Sequence, residues 1–207
     1  MKKTFNTLNI VTTAMLCALG VVLASTFHHL GGQAIASLFC AMHLPVFLAG
    51  ILCGPWLGLI CGGLTPLVSF MSSGRPPFPN GLVPMLVELL IYGFLSGMLR
   101  YVFLKNPKTN KFSSVLALVI AMVAGRIVSA FVSAIFEALS SPESAYFIIL
   151  GGEILHKFSS TWAGILVQLV LIPAIMFALQ RSGVLLKYLP ADIASKKPEQ
   201  TEEQTIE

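Results

Sequence analysis

The chain has 207 residues, of which 56% are hydrophobic and 11% charged, with a mean hydropathy of +0.84. A soluble domain carries roughly 25% charged residues, so the composition excludes one and points to a polytopic membrane protein. The net charge of +4 is accounted for by lysines and arginines placed in the connections between apolar runs, and calls for no nucleic-acid partner.

About 20 apolar residues are needed per transmembrane helix, which leaves room for about six spans. The apolar runs are continuous, whereas a membrane barrel would alternate. The predicted fold is therefore all-α: six transmembrane helices in one compact bundle over 1–189, followed by a charged, disordered and dispensable tail at 190–207.

The first span is predicted from Ile10 to Phe27, after a polar start carrying Lys2 and Lys3. A signal peptide cleaved near Ala24-Ser25 is the competing reading, but the run is long enough to span and more membrane segments follow it. His28, His29, Gly31, Gly32 and Gln33 are predicted to form a polar turn. The second span, Ala34 to Cys53, and the third, Trp56 to Phe70, meet at Gly54-Pro55, which predicts a helical hairpin. Gly58 and Gly62 in the third span lie four apart, a spacing that lets membrane helices approach closely.

The loop Ser72 to Gly81 holds Pro76, Pro77 and Pro79, which stiffen it, together with Arg75 and Asn80. The fourth span, Leu82 to Leu104, is expected to be interrupted by Pro84 and carries Glu88 and Tyr92, with Gly93 and Gly97 again four apart. A basic connection at 105–111 leads to the fifth span, Ser113 to Leu139, with Arg126 near its middle and Glu137 near its end. The partly apolar stretch Ser140 to Phe158 reads as a short helix or lid, and the sixth span, Ser159 to Leu179, contains Trp162, Gln168 and Pro173.

With six spans, one side of the membrane holds Lys2, Lys3, Arg100, Lys105, Lys108, Lys111, Arg181, Lys187, Lys196 and Lys197, ten of the 13 lysines and arginines. The positive-inside rule then places both termini in the cytoplasm. On that orientation Glu88, Tyr92, Glu137 and Trp162 lie toward the outer face, roofed by the three outer loops, and form a pocket open to the outside.

Ionisable residues inside a membrane point to function. Arg126 either holds an anionic ligand through its planar fork or bridges to Glu88 or Glu137. Arg75 is the alternative anion clamp or an ordinary loop charge. Glu88 and Tyr92 stand at i and i+4 and either satisfy each other or bond a polar ligand. His43, beside Leu44-Pro45, is either a structural hydrogen-bonding group or a ligand contact. Trp162 reads as an interfacial anchor or a stacking surface, and the deep Gln168 requires a hydrogen bond. Asn80 completes the set of substrate-binding candidates.

His28 and His29 lack a third ligand at metal spacing, so no metal is expected. The four cysteines form no Cys-x-x-Cys pair and read as small hydrophobes. Neither a phosphate-cradling loop, nor a nucleophile elbow, nor a zinc-protease helix is present, and neither a cofactor nor catalysis is expected.

Ala14 and Ala18, in AMLCA, sit one turn apart on the first span as a helix-packing pair, within the chain or against another. Here the sequence resembles the substrate-binding S components of energy-coupling factor (ECF) transporters, whose first helix contacts the coupling protein through an Ala-x-x-x-Ala motif. The resemblance covers about Leu8 to Leu179. The run LPVFLAGILCGPWLGL, the Pro-rich loop and the Glu88 and Tyr92 pair look like the branch of pantothenate and folate carriers. It implies a multi-pass cell-membrane subunit that binds a vitamin on the outer side, docks on the coupling protein with Ala14 and Ala18, and releases inward when two ATPase subunits turn over. Pantothenate is the expected vitamin, because a small flexible carboxylate suits an arginine, the alternative being the same role for folate, a thiamine precursor, pyridoxine or riboflavin. The competing classes are an intramembrane enzyme using Glu88, His43 or His156, and a small channel.

Overall fold

The computed structural model describes residues 6–39, 42–105, 113–140, 151–152, 155–156 and 159–181. Among the described residues the element order is α1 Thr7–Phe39, α2 His43–Cys53, α3 Pro55–Ser73, α4 Leu82–Lys105, α5 Ser113–Ser140 and α6 Trp162–Arg181. No strand occurs among the described residues. The basic connection at 106–112, most of the 140–158 stretch and the tail lie outside them.

Five of the helices contain segments long and apolar enough to cross a membrane, and α2 does not. The expected 20-residue second span is replaced by an 11-residue helix, about 16 Å long and so roughly half the hydrocarbon thickness. Pro45 explains the start. It is the third residue of α2, within the first turn, where its missing N–H belongs to the unpaired set anyway and its fixed φ suits a helix. The same logic corrects the reading of Pro84, which lies in the first turn of α4 and interrupts nothing.

The polar turn expected at His28–Gln33 is absent: the backbone stays helical to Phe39. The helix nevertheless cannot be straight. A Cβ built on Gly20 would lie 3.7 Å from the carbonyl oxygen of Met42, and the chain from Phe39 to Met42 reaches at most about 11 Å. A straight helix would carry Phe39 about 28 Å from Gly20. α1 therefore bends sharply between them, and Gly31-Gly32 is the pair in that stretch where a bend costs least.

α2 is the core. Every residue of it except Leu44 is buried, as expected of a helix that is apolar all round. It is knitted to α3 and α4 by glycine. A Cβ on Gly93 would come 2.0 Å from the carbonyl oxygen of Gly58, one on Gly62 would come 2.2 Å from that of Leu89, and one on Gly97 2.6 Å from that of Gly50. Of the two glycine pairs read from their spacing, Gly58 and Gly93 thus meet directly across the α3–α4 contact, while Gly62 meets the backbone of Leu89 and Gly97 that of the α2–α3 hairpin. Gly54, with φ of 97°, closes the hairpin between α2 and α3 in a conformation that favours glycine.

The outer helices bury only stripes. On α6 the buried positions are Gly164, Gln168, Ile172 and Met176, each four residues from the next. On α1, Asn9, Thr13, Gly20 and Ala24 are buried, while Ala14 and Ala18 are exposed beside Val11, Met15, Leu19 and Val22.

Candidate functional site

The polar interior of the bundle is assembled at one level of α4. Glu88 is the seventh residue of that helix, so it lies about 9 Å inward from the helix start. One turn later the Tyr92 hydroxyl donates to Glu88 Oε1 over 2.5 Å, both side chains being buried. The i, i+4 spacing is thus realised as a short hydrogen bond between two buried side chains. His43, the first residue of α2, places Nε2 3.7 Å from the same carboxylate oxygen, an ion-pair distance rather than a hydrogen bond. Its ring lies 5.5 Å from that of Tyr92.

Two residues that the sequence reading passed over hold this cluster in shape. Phe47, one turn along α2 from His43, stacks on Tyr92 with centroids 4.5 Å apart. Gly125 on α5 leaves room for the Tyr92 ring, since a Cβ there would lie 2.3 Å from it. Phe47 could have been found as the i+4 neighbour of His43 on a buried face, whereas the approach of Gly125 is a long-range contact with no local signal.

Arg126 follows Gly125, so it stands at the level of Tyr92. It is 2% exposed, and its guanidinium donates to the hydroxyl of Thr161, the residue preceding α6. The arginine thereby ties α5 to α6. The suggested bridge to Glu137 fails on distance, because 11 residues of one helix separate the two, about 16 Å and beyond their combined reach. Glu137 itself is exposed.

Gln168 is 1% exposed and lies on the buried stripe of α6. The remaining candidates do not join this interior. Arg75 and Asn80 are exposed on the connection between α3 and α4, where the backbone carbonyl of Arg75 accepts a hydrogen bond from Ser69. Trp162, at the start of α6, is 58% exposed, the placing of an interfacial anchor. His156 is exposed as well. Among the described residues no group of three or more His, Cys, Asp or Glu is placed to hold a metal ion.

Arg100 is a further surprise. Its place near the end of a span reads as a loop charge, yet it is 5% exposed and donates to the carbonyl of Ile51 near the C-terminus of α2. A signal for this exists in the sequence: Gly93, Ser96, Gly97 and Arg100 are spaced i, i+3, i+4 and i+7, one face of α4, and that face is the glycine-packed one.

Compared with known proteins, residues 8–187 match the family described as ECF transporter, substrate-specific component. No curated protein and no solved structure gives a match.

Proposed function

Because the chain belongs to the substrate-specific components of ECF transporters, we propose that the buried cluster of His43, Glu88, Tyr92 and Arg126 binds a water-soluble vitamin for uptake, pantothenate being the reading favoured. The family is one of transporter subunits that work with a coupling protein and two ATPases, and five spanning-capable helices suit a multi-pass protein of the cell membrane. The observation carrying the proposal is the burial, at one level of the bundle, of a histidine, a glutamate and an arginine at 5%, 5% and 2% exposure. Burying charge in a membrane is costly and is ordinarily associated with a pathway or a site.

On this reading both termini are cytoplasmic, the Gly54 end of the bundle faces inward, and the cluster lies in the outer half. Arg126 takes the substrate carboxylate, while Glu88 and His43 serve its hydroxyl and amide groups. Tyr92 is already covered by Phe47 and Gly125, and Trp162 faces away from the interior, so little aromatic surface remains for stacking a pterin or flavin. That favours a flexible, non-planar ligand. The exposure of Ala14 and Ala18 suits a docking face for the coupling protein.

The test is binding of labelled pantothenate, riboflavin, folate, thiamine and pyridoxine to the detergent-purified chain, beside Arg126→Ala. We expect tight binding of pantothenate and a loss of at least about 100-fold in the variant, the removal of a buried charge-assisted contact. Binding of another vitamin would change the substrate, and binding of none by a monodisperse chain would refute the assignment of the site.

A further inference from the structure

The N-terminus of α2 is an unusual object. It ends inside the bundle, with Met42 and His43 at 4% and 5% exposure. The first N–H groups of any helix have no partner within it, and here the residue at the capping position is methionine, whose side chain makes no cap hydrogen bond. No backbone hydrogen bond to the N–H of His43 or Leu44 is found among the described residues. A second polar atom shares the location: Nδ1 of His43 is buried and has no hydrogen-bond partner, while Nε2 on the other side of the ring faces Glu88. A helical side chain leans toward its own N-terminus, so Nδ1 and the backbone donors converge.

Buried polar groups are seldom left unbonded, because each costs about 1–3 kcal/mol. The aligned peptide dipoles of α2 add partial positive charge at the same point. We infer that the N-terminus of α2 is a subsite for an acceptor oxygen of the transported molecule, a carboxylate or a carbonyl, held by the N–H groups of His43 and Leu44 with Nδ1 of His43 beside them. The inference rests on the reading of the chain as a substrate-binding component and extends it from side chains to backbone. Half-length membrane helices ending at a ligand are an economical way to aim such donors.

Two matched pairs of variants, each measured for pantothenate binding and for thermal unfolding, test it. Leu44→Pro removes one N–H at a helix position that tolerates proline, whereas Leu44→Ala keeps the N–H and loses the same side chain. We expect the proline variant to bind at least about 10-fold more weakly than the alanine variant, the cost of one donor to a charged or strongly polar group. Met42→Asp and Met42→Asn are nearly isosteric, but only aspartate sets a negative charge beside the N-terminus of α2. The aspartate variant should bind about 5-fold more weakly than the asparagine variant, since its carboxylate competes with the acceptor oxygen of the ligand for the same donors.

Equal affinity within the Met42 pair overturns the inference whatever the Leu44→Pro variant does, including failing to fold. If the unaltered chain binds pantothenate and both pairs bind alike, the subsite is wrong while the transport reading stands. If the unaltered chain binds none, the transport reading fails first. Combining Met42→Asp with Arg126→Ala identifies the oxygen: non-additive losses mean one carboxylate shared by both, and additive losses mean a separate carbonyl.

Discussion

The two ends of α2 are finished differently. At the Gly54 end, Gly54 turns the chain, the buried Arg100 donates to the Ile51 carbonyl, and Gly50, Gly93 and Gly97 bring backbones into direct contact. At the His43 end the capping residue is a methionine, a ring nitrogen is unpartnered, and the neighbouring ionisable group is Glu88. One end is closed by the protein's own hydrogen bonds, the other stops short of closing. A membrane interior has no water to make up the difference, so the open end is where a ligand gains most by binding. The closed end then has a plain role, which is to hold the open one still.

The largest effect should come from breaking the closed end at its tightest point. Gly93→Leu places a side chain where even a Cβ would lie 2.0 Å from a backbone oxygen of α3. Backbone cannot yield as a flexible side chain can, so α3 and α4 must separate. We expect no monodisperse protein by size-exclusion chromatography. A well-behaved Gly93→Leu variant would mean that the α3–α4 contact does not organise the bundle.

Next comes Arg100→Ala. The hydrogen bond of a charged donor is worth about 1.5–3 kcal/mol, offset in part because a buried charge is removed with it. The expected result is a melting temperature several degrees lower with substrate affinity changed less than about 3-fold, which separates holding α2 from binding with it. An affinity loss as large as that of Arg126→Ala would mean that the two ends act as one unit.

At the open end, Glu88→Gln keeps the shape and an acceptor for Tyr92 but removes the charge facing His43. Charge-assisted hydrogen bonds are roughly twice as strong as neutral ones, so we expect an affinity loss of about 5- to 10-fold by titration calorimetry, with little change in melting. The reverse pattern, lower stability at constant affinity, would assign the trio of His43, Glu88 and Tyr92 to structure.

How much of this contrast was legible in the sequence depends on range. Spans three to six were readable as apolar runs, and the glycine pairs by their spacing, because both are local. The i, i+4 pairing of Glu88 with Tyr92 was readable for the same reason. The true extent of α2 was harder: hydropathy joins Ala34 to Cys53 into one run, and only Pro45 hints that a helix begins at His43. The polar letters from His28 to Gln33 read as a turn, yet backbone hydrogen bonds satisfy themselves within a helix whatever the side chains are, so the chain changes direction by bending. Arg100 reads as a surface charge by its nearness to a loop, although its face of α4 points inward. Long-range partners such as Thr161 for Arg126 leave no trace in a single sequence.

The smallest effect should be that of Arg75→Ala, and it decides between the two arginines that the sequence left equal. Arg75 is exposed and within electrostatic reach of His28, whereas Arg126 is 2% exposed at the level of Tyr92. A charge in water attracts an anion from a distance but is screened over about 8 Å at physiological ionic strength. It can speed encounter more than it holds a bound ligand. Removing Arg75 should therefore weaken binding less than about 3-fold, through a slower on-rate, and the difference should fade when salt is raised to about 1 M. Binding kinetics at two salt concentrations read both quantities. A loss above about 10-fold that persists in high salt would mean that the loop closes over the ligand with Arg75 desolvated against it. The open end of α2 would then be completed by the loop rather than by Arg126.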